Sequence, residues 1–226
     1  MKKVLSFLAG LMLLSAPLYA ETATETRIEL YYPKVVPKND AERAMLAFRD
    51  GKMELYRAMV DKYGPNIKVE SDIFCSSILA MAIRKNDISE ITRLISLGAD
   101  TAICTNNPIG VAISQVRVEA LKLLLAAGTP VDLPNNFGKR PLETALEIFP
   151  IFSNYDPQPK SSSRSLVEES IAIIALLVKH GAETSLKTKG GLSYADFFAR
   201  QFAGKASSIH PDYEVYKREV LKLIDG

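Results

Sequence analysis

The chain contains two cysteines and two histidines, the residue types that most often form disulfides or bind metals, and they are scattered along the sequence. Cys75 and Cys104 are 29 residues apart, and the histidines are His180 and His210. Two thiols can join in a disulfide or remain free. A structural zinc site needs about four grouped ligands, so this arrangement predicts no metal centre and no cofactor. His180 comes directly before a glycine, which favours a position at the carbonyl end of a helix.

Catalytic motifs are missing from the sequence. It contains no HExxH metalloprotease motif, no GxSxG nucleophile motif and no glycine-rich phosphate loop. The carboxylates Asp87, Glu119 and Glu143 are spread along the chain, as solvent-exposed helix positions would be. The sequence therefore disfavours an enzyme and favours a binding function carried by the surface of the fold.

Three stretches of the chain repeat one pattern of residue types. They are SILAMAIRKNDISEITRLISLG from Ser77, NPIGVAISQVRVEALKLLLAAG from Asn107, and RPLETALEIF from Arg140, whose unit closes with IAIIALLVKHG at Gly181. The openings are 30 and 33 residues apart, and Ser193 follows Arg140 by 53 residues. A period near 33 residues is typical of a supersecondary unit that stacks on copies of itself.

The repeated pattern resembles the ankyrin repeat, which opens with Thr-Pro-Leu-His-x-Ala and ends with Leu-Leu-x-x-Gly-Ala-Asp. The matching openings are Pro108, Ile109 and Ala112, then Pro141, Leu142 and Ala145. The matching endings are Leu94, Ile95, Gly98, Ala99 and Asp100, then Leu124, Leu125 and Gly128, then Leu176, Leu177, Gly181 and Ala182. The histidine of the family is replaced by Ala80, Gly110, Glu143 and Asp196.

The resemblance implies an all-α ankyrin-repeat solenoid of about five helix-turn-helix units with finger loops, covering residues 40–226. We expect the units to begin near residues 40, 77, 107, 140 and 193. The fourth unit has 20 more residues between its helices than the earlier ones. Its segment 150–165 is rich in proline and serine, which predicts an inserted loop that is either functional or disordered.

Two local features of the units follow from elementary helix chemistry. Gly98, Gly128 and Gly181 each follow an apolar helical segment, where a left-handed cap favours a residue without a Cβ. The spacing of Ala120, Leu121, Leu124 and Leu125 predicts one buried helix face.

The N-terminal segment differs in kind from the repeats. Lys2 and Lys3 precede the short apolar run VLSFLAGLMLLSA, and Ala20 offers a small residue for cleavage. This pattern is typical of a secretory signal peptide over residues 1–20, with an uncleaved membrane anchor as the alternative. Residues 21–39 carry two prolines and no helical period, which predicts an extended arm. We expect a periplasmic mature protein without stable membrane insertion.

Loss of the signal peptide makes the chain formally neutral. It removes two lysines, so the 28 basic residues fall to 26 and equal the 26 acidic residues. No block of basic residues remains, so electrostatics favours neither nucleic-acid binding nor attachment to a membrane surface.

The repeat register places both cysteines in comparable positions. Cys75 lies two residues before Ser77, and Cys104 lies three residues before Asn107, so both belong to finger loops of neighbouring units. An even number of cysteines in an exported protein favours a disulfide. The alternative is two free thiols, because stacked units could hold the fingers more than about 7 Å apart.

Ankyrin stacks bind partners with finger tips and with exposed positions of their first helices. By repeat position, the residues expected to contact a partner are Arg49, Arg84, Lys85, Ser114, Gln115, Asn136, Phe137, Lys139, Glu147 and Arg200. These side chains are expected to point outward. Arg49, Arg84 and Lys85 make the N-terminal half basic, so the partner should present acidic groups there. Phe137 is expected either to anchor a partner or to pack on the next unit.

In signal peptide, size and repeat pattern the chain is similar to periplasmic ankyrin-repeat immunity proteins, which neutralise phospholipase effectors of bacterial type VI secretion. The resemblance implies a non-enzymatic module, monomeric when free, that occludes one folded protein such as a lipase-type effector. The alternative is a periplasmic ankyrin protein that supports an oxidative-stress enzyme or an envelope complex. An adjacent effector gene would favour the first function, and an adjacent catalase gene the second.

Overall fold

Short helices form most of the fold. The computed structural model describes residues 39–71, 74–104, 107–135, 137–153, 161–201 and 213–225. The predicted signal peptide, residues 21–38 of the predicted arm, Asn136 and His210 lie outside this part of the chain. The helices are α1 (Asp40–Arg49), α2 (Met53–Tyr63), α3 (Ile78–Lys85), α4 (Ile88–Ser96), α5 (Pro108–Ser114), α6 (Val118–Ala126), α7 (Pro141–Ser153), α8 (Ser161–Lys179), α9 (Tyr194–Arg200) and α10 (Tyr213–Asp225). The strands are β1 (Lys68–Ser71) and β2 (Phe74–Ser77).

The helices pack in pairs, and the pairs pack on one another in two rows. In the first row α3 packs on α5, α5 on α7 and α7 on α9. In the second row α4 packs on α6, α6 on α8 and α8 on α10. The prediction of a helical fold is confirmed, with the antiparallel β1–β2 hairpin as a small addition. Each pair buries one face internally and another against its neighbours, as stacked units do.

Side-chain caps mark the starts of three predicted units. The side-chain oxygens of Ser77, Asn107 and Ser193 accept hydrogen bonds from the backbone N–H three residues ahead, at 3.1, 2.8 and 3.0 Å. Serine and asparagine are preferred at this position because they satisfy N–H groups that have no partner inside the helix. The caps supply local hydrogen bonds at openings that lack the histidine of the ankyrin pattern.

The ends of three second-row helices share one hydrogen-bonding pattern. Gly98, Gly128 and Gly181 have φ values of +84°, +84° and +88°, which confirms the predicted left-handed caps. Each glycine N–H bonds a carbonyl three residues back, and the following N–H bonds a carbonyl five residues back. This is the Schellman arrangement, which satisfies the last carbonyls of the helix. The chain therefore makes the same turn three times.

One apolar cluster runs through the helix pairs, from Ala44 in α1 to Ile224 in α10. Ala120, Leu121 and Leu124 have no exposed surface and Leu125 is 7% exposed, so the predicted buried face of α6 is confirmed. Burial of this kind supplies the main stabilisation of a fold built from short helices.

The loop predicted over residues 150–165 is wrong at both ends. Helix α7 continues through Pro150 to Ser153, and α8 begins at Ser161. They have 13 and 19 residues, whereas α3 and α4 have 8 and 9. The insertion therefore lengthens both helices of the fourth unit, and residues 154–160 lie outside the described chain. Serine suits the start of a helix as well as a loop, which is why the composition was misleading.

The segments that precede α3, α5, α7 and α9 form four fingers. We call the β1–β2 hairpin the first finger, residues 99–104 the second, residues 129–140 the third and residues 182–193 the fourth. Cys75 in the first finger and Cys104 in the second form a disulfide with their Cα atoms 5.3 Å apart. The predicted pairing is confirmed, so neighbouring fingers do lie within disulfide distance.

Candidate functional site

The predicted finger and helix positions come together on one face in the second and fourth units. In the fourth unit the Lys139 ammonium lies 2.7 Å from both carboxylate oxygens of Glu147. In the second unit Arg84 Nη1 donates to Ser76 Oγ at 2.9 Å. In each pair, one residue directly precedes the first residue of the unit, and the other lies seven positions after that first residue. The first helix therefore directs this side chain toward its own finger, and we call the surface of finger tips and first-helix side chains the candidate face.

Arg84 is partly buried on this face. Its guanidinium packs beside Ser76, which is buried. Burial lowers the pKa of Arg84 from its usual value, because removing water disfavours the charged form. Its positive charge is therefore fixed in place by the first finger, with one side available to a partner.

Lys85 turns back toward the first unit. Its Nζ donates to the carbonyl oxygens of Phe48 at 2.7 Å and Arg49 at 3.1 Å, and it lies 4.6 Å from the centre of the Phe48 ring. Those carbonyls are at the C-terminus of α1, where a cation is stabilised by the helix dipole. Lys85 remains exposed at the surface, and its ammonium is engaged by these two carbonyls. Its ammonium ties the first unit to the second.

Arg49 and Asp50 form an exposed ion pair at the end of α1. Arg49 Nε lies 2.7 Å from Asp50 Oδ1. The hydrogen bond from Arg49 lowers the pKa of the Asp50 carboxyl below its usual range. The N-terminal half of the face carries three cations in Arg49, Arg84 and Lys85, and Asp50 offsets one of them.

Phe137 stands at the tip of the third finger with 65% of its surface exposed. Asn135 Oδ1 accepts from the backbone N–H groups of Phe137 at 2.9 Å and Lys139 at 3.1 Å. Gly138 completes the turn at φ +74°, which a residue with a Cβ rarely adopts. Lys189 of the fourth finger donates its Nζ to the Phe137 carbonyl at 2.8 Å. The ring therefore projects from a well-braced backbone and is not buried against the next unit.

The remaining predicted contact residues occupy the ends of first-row helices. Ser114 and Gln115 are exposed at the end of α5, and Ser114 Oγ donates to the Val111 carbonyl at 3.2 Å. Arg200 is exposed at the end of α9. Asn136 is outside the described residues. Ser114 and Arg200 follow their unit starts by seven residues, as Arg84 and Glu147 do, so the four form one row by repeat position.

Sequence analysis missed a buried polar network between the first and second units. Tyr56 in α2 donates its hydroxyl to Glu90 Oε1 in α4 at 2.5 Å. Arg93 Nη2 lies 2.8 Å from the same oxygen, and Arg93 Nε lies 2.9 Å from Oε2. Burial and the neighbouring Glu90 carboxylate raise the pKa of Tyr56, because both disfavour the phenolate. The two partners are 34 residues apart, so no local pattern could have revealed the network.

Glu143 was also misjudged from the sequence. It is 3% exposed, and its Oε2 accepts from the backbone N–H of Lys189 at 3.3 Å. The prediction of a solvated carboxylate is therefore wrong, because this side chain joins α7 to the fourth finger. Glu119 is exposed and pairs with Lys122 at 2.7 Å, as expected of a surface residue.

His180 contacts a helix end through its ring. Its Nδ1 lies 2.8 Å from the Leu176 carbonyl oxygen, one turn earlier in α8. The imidazole is exposed, so it satisfies a terminal carbonyl in the manner predicted for this position.

A cleft of about 460 Å³ lies where α8 passes the turns of the second and third units. Asn86, Val116 and Arg117 line one side, and Glu168 and Glu169 line the other. The carboxylates of the two glutamates would repel an anion that the Arg117 guanidinium attracts. This mixture selects no class of ligand, so the candidate face remains the stronger site.

The comparisons give no family for the chain. No protein-family model and no curated protein matches the sequence. Within the described ranges, no three histidine, cysteine or acidic side chains are grouped to hold a metal ion. None of the helices in this part of the chain is long and apolar enough to cross a membrane.

Proposed function

We propose that the chain is an ankyrin-repeat solenoid that acts as a non-enzymatic periplasmic protein-binding module. The repeated caps, the three Schellman turns and the two rows of helices support the repeat fold. The signal-peptide pattern of residues 1–20 supports export. The binding surface is the candidate face.

The observation that carries the binding function is the exposed ring of Phe137 on a braced finger. Aromatic side chains dominate the energetics of many interfaces, and fixing them before binding lowers the entropy lost on association. Asn135 and Lys189 fix the backbone on both sides of the ring without covering it. Phe137 is therefore suited to enter an apolar pocket of a folded partner.

Charge on the candidate face favours a partner with acidic groups. Arg84 and Arg200 belong to the row and Arg49 lies at the end of α1, while Glu147 is matched by Lys139. Complementary charges accelerate the encounter of two proteins more than they prolong the complex. We expect basic residues to steer the partner and Phe137 to retain it.

The partner class follows from the resemblance to immunity proteins. A periplasmic stack of this size can block a phospholipase effector sterically by covering its active-site entrance. The interaction then needs no catalytic group on this chain. Inhibition should be stoichiometric, and it should disappear when the candidate face is altered.

The test uses the mature chain and the effector encoded beside its gene. Hydrolysis of phosphatidylglycerol vesicles by the purified effector should fall linearly with added protein and reach zero near one equivalent. A variant altered in the candidate face should lose this inhibition. The matched control is Val215→Ala, because Val215 is a large exposed apolar residue of α10 outside the candidate face. The proposal is wrong if no lipase-type effector is encoded nearby, or if the chain binds the effector without reducing hydrolysis. An adjacent catalase that the mature chain binds would support the alternative function.

A further inference from the structure

Hydrogen bonds hold the first, third and fourth fingers, and a disulfide joins the second finger to the first. The first finger is a hydrogen-bonded hairpin. The Asn135 N–H donates to the Lys139 carbonyl across the third finger at 2.9 Å, and the Thr188 N–H donates to the Leu192 carbonyl across the fourth at 2.8 Å. In residues 99–104 the Ala102 N–H donates to the Asp100 carboxylate at 2.8 Å and the Ile103 N–H donates to the Asp100 carbonyl at 3.4 Å, which makes a local turn inside the segment.

Among the described residues, two tethers hold this segment to the first finger and its base. The Asp100 N–H donates to Asn66 Oδ1 at 2.7 Å. At the other end Cys104 is bonded to Cys75, which is 3% exposed in β2. Cys104 has a φ of +76°, which a non-glycine residue seldom adopts unless its surroundings impose it. Only the tether at Cys104 can be reduced.

The neighbouring helices have local supports that do not involve the disulfide. Ser77 caps α3 and Asn107 caps α5 through their own side chains. Gly98 ends α4 with its left-handed turn. Loss of the covalent tether should therefore release the segment between Asp100 and Cys104 without removing the contacts that keep the helices stacked.

We propose that the Cys75–Cys104 disulfide is a redox latch for the second finger. The oxidised form docks residues 100–104 on the β1–β2 hairpin, and the reduced form frees them while the helical stack stays folded. The finger reaches its docked form only after export to an oxidising compartment. The latch concerns this chain alone and does not depend on the proposed partner.

The reductant is a dithiol, such as dithiothreitol or the reduced active site of a thiol–disulfide oxidoreductase. A thiolate of the dithiol attacks the sulfur of Cys104, the more exposed partner, and the Cys75 thiolate leaves. The second thiolate of the reductant then displaces Cys104. Two electrons and two protons pass from the dithiol to the cysteines, and the dithiol becomes a disulfide.

The test is backbone ¹⁵N relaxation of the mature protein before and after dithiothreitol. Order parameters of residues 101–104 should fall from about 0.85 to below about 0.6 on reduction. Residues 135 and 137–139 of the third finger provide the internal control, because hydrogen bonds close that finger, and their values should not change. Order parameters that stay near 0.85 at residues 101–104 would overturn the proposal.

Two further outcomes distinguish a disulfide that fixes only the second finger, which is a latch, from one that stabilises the whole fold, which is a staple. Equal loosening of the third finger or loss of the helical circular dichroism on reduction would show a staple and would also overturn the proposal. The Cys75→Ala/Cys104→Ala variant should show the mobile finger with or without reductant. If that variant is rigid at residues 101–104, the proposal is wrong. If that variant does not fold, the order parameters of residues 101–104 in the reduced wild-type protein decide the question.

Discussion

Lys139 and Glu147 lie eight residues apart in the fourth unit, and the Lys139 ammonium is 2.7 Å from both oxygens of the Glu147 carboxylate. The pair spans the start of α7 and joins the base of the third finger to the first-row helix. Arg84 and Ser76 have the same separation in the second unit. This repeated relationship places fingers and first helices on a common face.

The Lys139–Glu147 pair should contribute little to stability. Both side chains are partly exposed, at 31% and 40%, and solvent-accessible ion pairs are typically worth about 0–1 kcal/mol. Glu147→Gln should therefore change the free energy of unfolding in urea by less than about 1 kcal/mol. Glu119→Gln, which breaks the exposed pair with Lys122, is the matched control. A much larger loss in Glu147→Gln than in the control would show that the pair is structural.

Lys85 should be important for stability although its position suggested a binding residue. Lys85→Met keeps the aliphatic chain but removes the hydrogen bonds to the Phe48 and Arg49 carbonyls, so it should destabilise the fold by about 1–2 kcal/mol. Lys122→Met removes an exposed ion pair and should cost less than about 0.5 kcal/mol. Urea unfolding of both variants checks the difference. Equal stabilities would mean that Lys85 does not hold α1 in place.

The Tyr56–Glu90 hydrogen bond makes a prediction for alkaline pH. The folded pKa of Tyr56 is raised above its ordinary value of 10.0, so its contribution to stability is complete below pH 10. It is lost as the pH rises toward the folded pKa, because the unfolded chain then releases the proton first. The free energy of unfolding should fall by up to about 1.4 kcal/mol per pH unit in this range.

Tyr56→Phe isolates this effect from other groups that titrate at high pH. The wild-type minus variant difference in the free energy of unfolding should be constant from pH 8 to about 9.5 and should decrease above pH 10. At neutral pH the variant should be less stable by about 1–2 kcal/mol, since the buried Glu90 loses one donor but keeps Arg93. A difference that is independent of pH up to 11 would exclude the proposed linkage.

The sequence was informative wherever one residue decides the local backbone. Gly98 and Gly128 could be assigned to left-handed turns because the repeat fixed their position after a helix. Helical spacing assigned one face of α6 to the core, namely Ala120, Leu121, Leu124 and Leu125. The contacts of Lys85 and Tyr56 could not be predicted, because their partners lie 34 to 37 residues away and depend on how the units stack. Segment 150–165 misled because proline and serine are compatible with helix ends as well as loops.

The packing between units predicts a large effect of Leu124→Ala. Leu124 has no exposed surface, so truncation should leave a cavity between α6 and its neighbours and cost about 2–5 kcal/mol. Leu97→Ala is the control, because Leu97 follows α4 and is 49% exposed; it should cost less than about 1 kcal/mol. Urea unfolding measures both. If the two variants are equally stable, the assignment of Leu124 to the core between units is wrong.

Phe137→Ala should separate binding from folding most clearly. The ring is 65% exposed, so the variant should unfold at the same urea concentration as the parent. If the ring anchors the effector of the proposed function, the variant should bind about 30-fold more weakly, equivalent to about 2 kcal/mol. The change should appear mainly as faster dissociation in surface plasmon resonance. Val215→Ala removes a comparably exposed apolar side chain from α10 and should leave both rate constants unchanged. Parental dissociation for Phe137→Ala, or an equal effect of Val215→Ala, would remove Phe137 from the interface and leave the candidate face without its anchor.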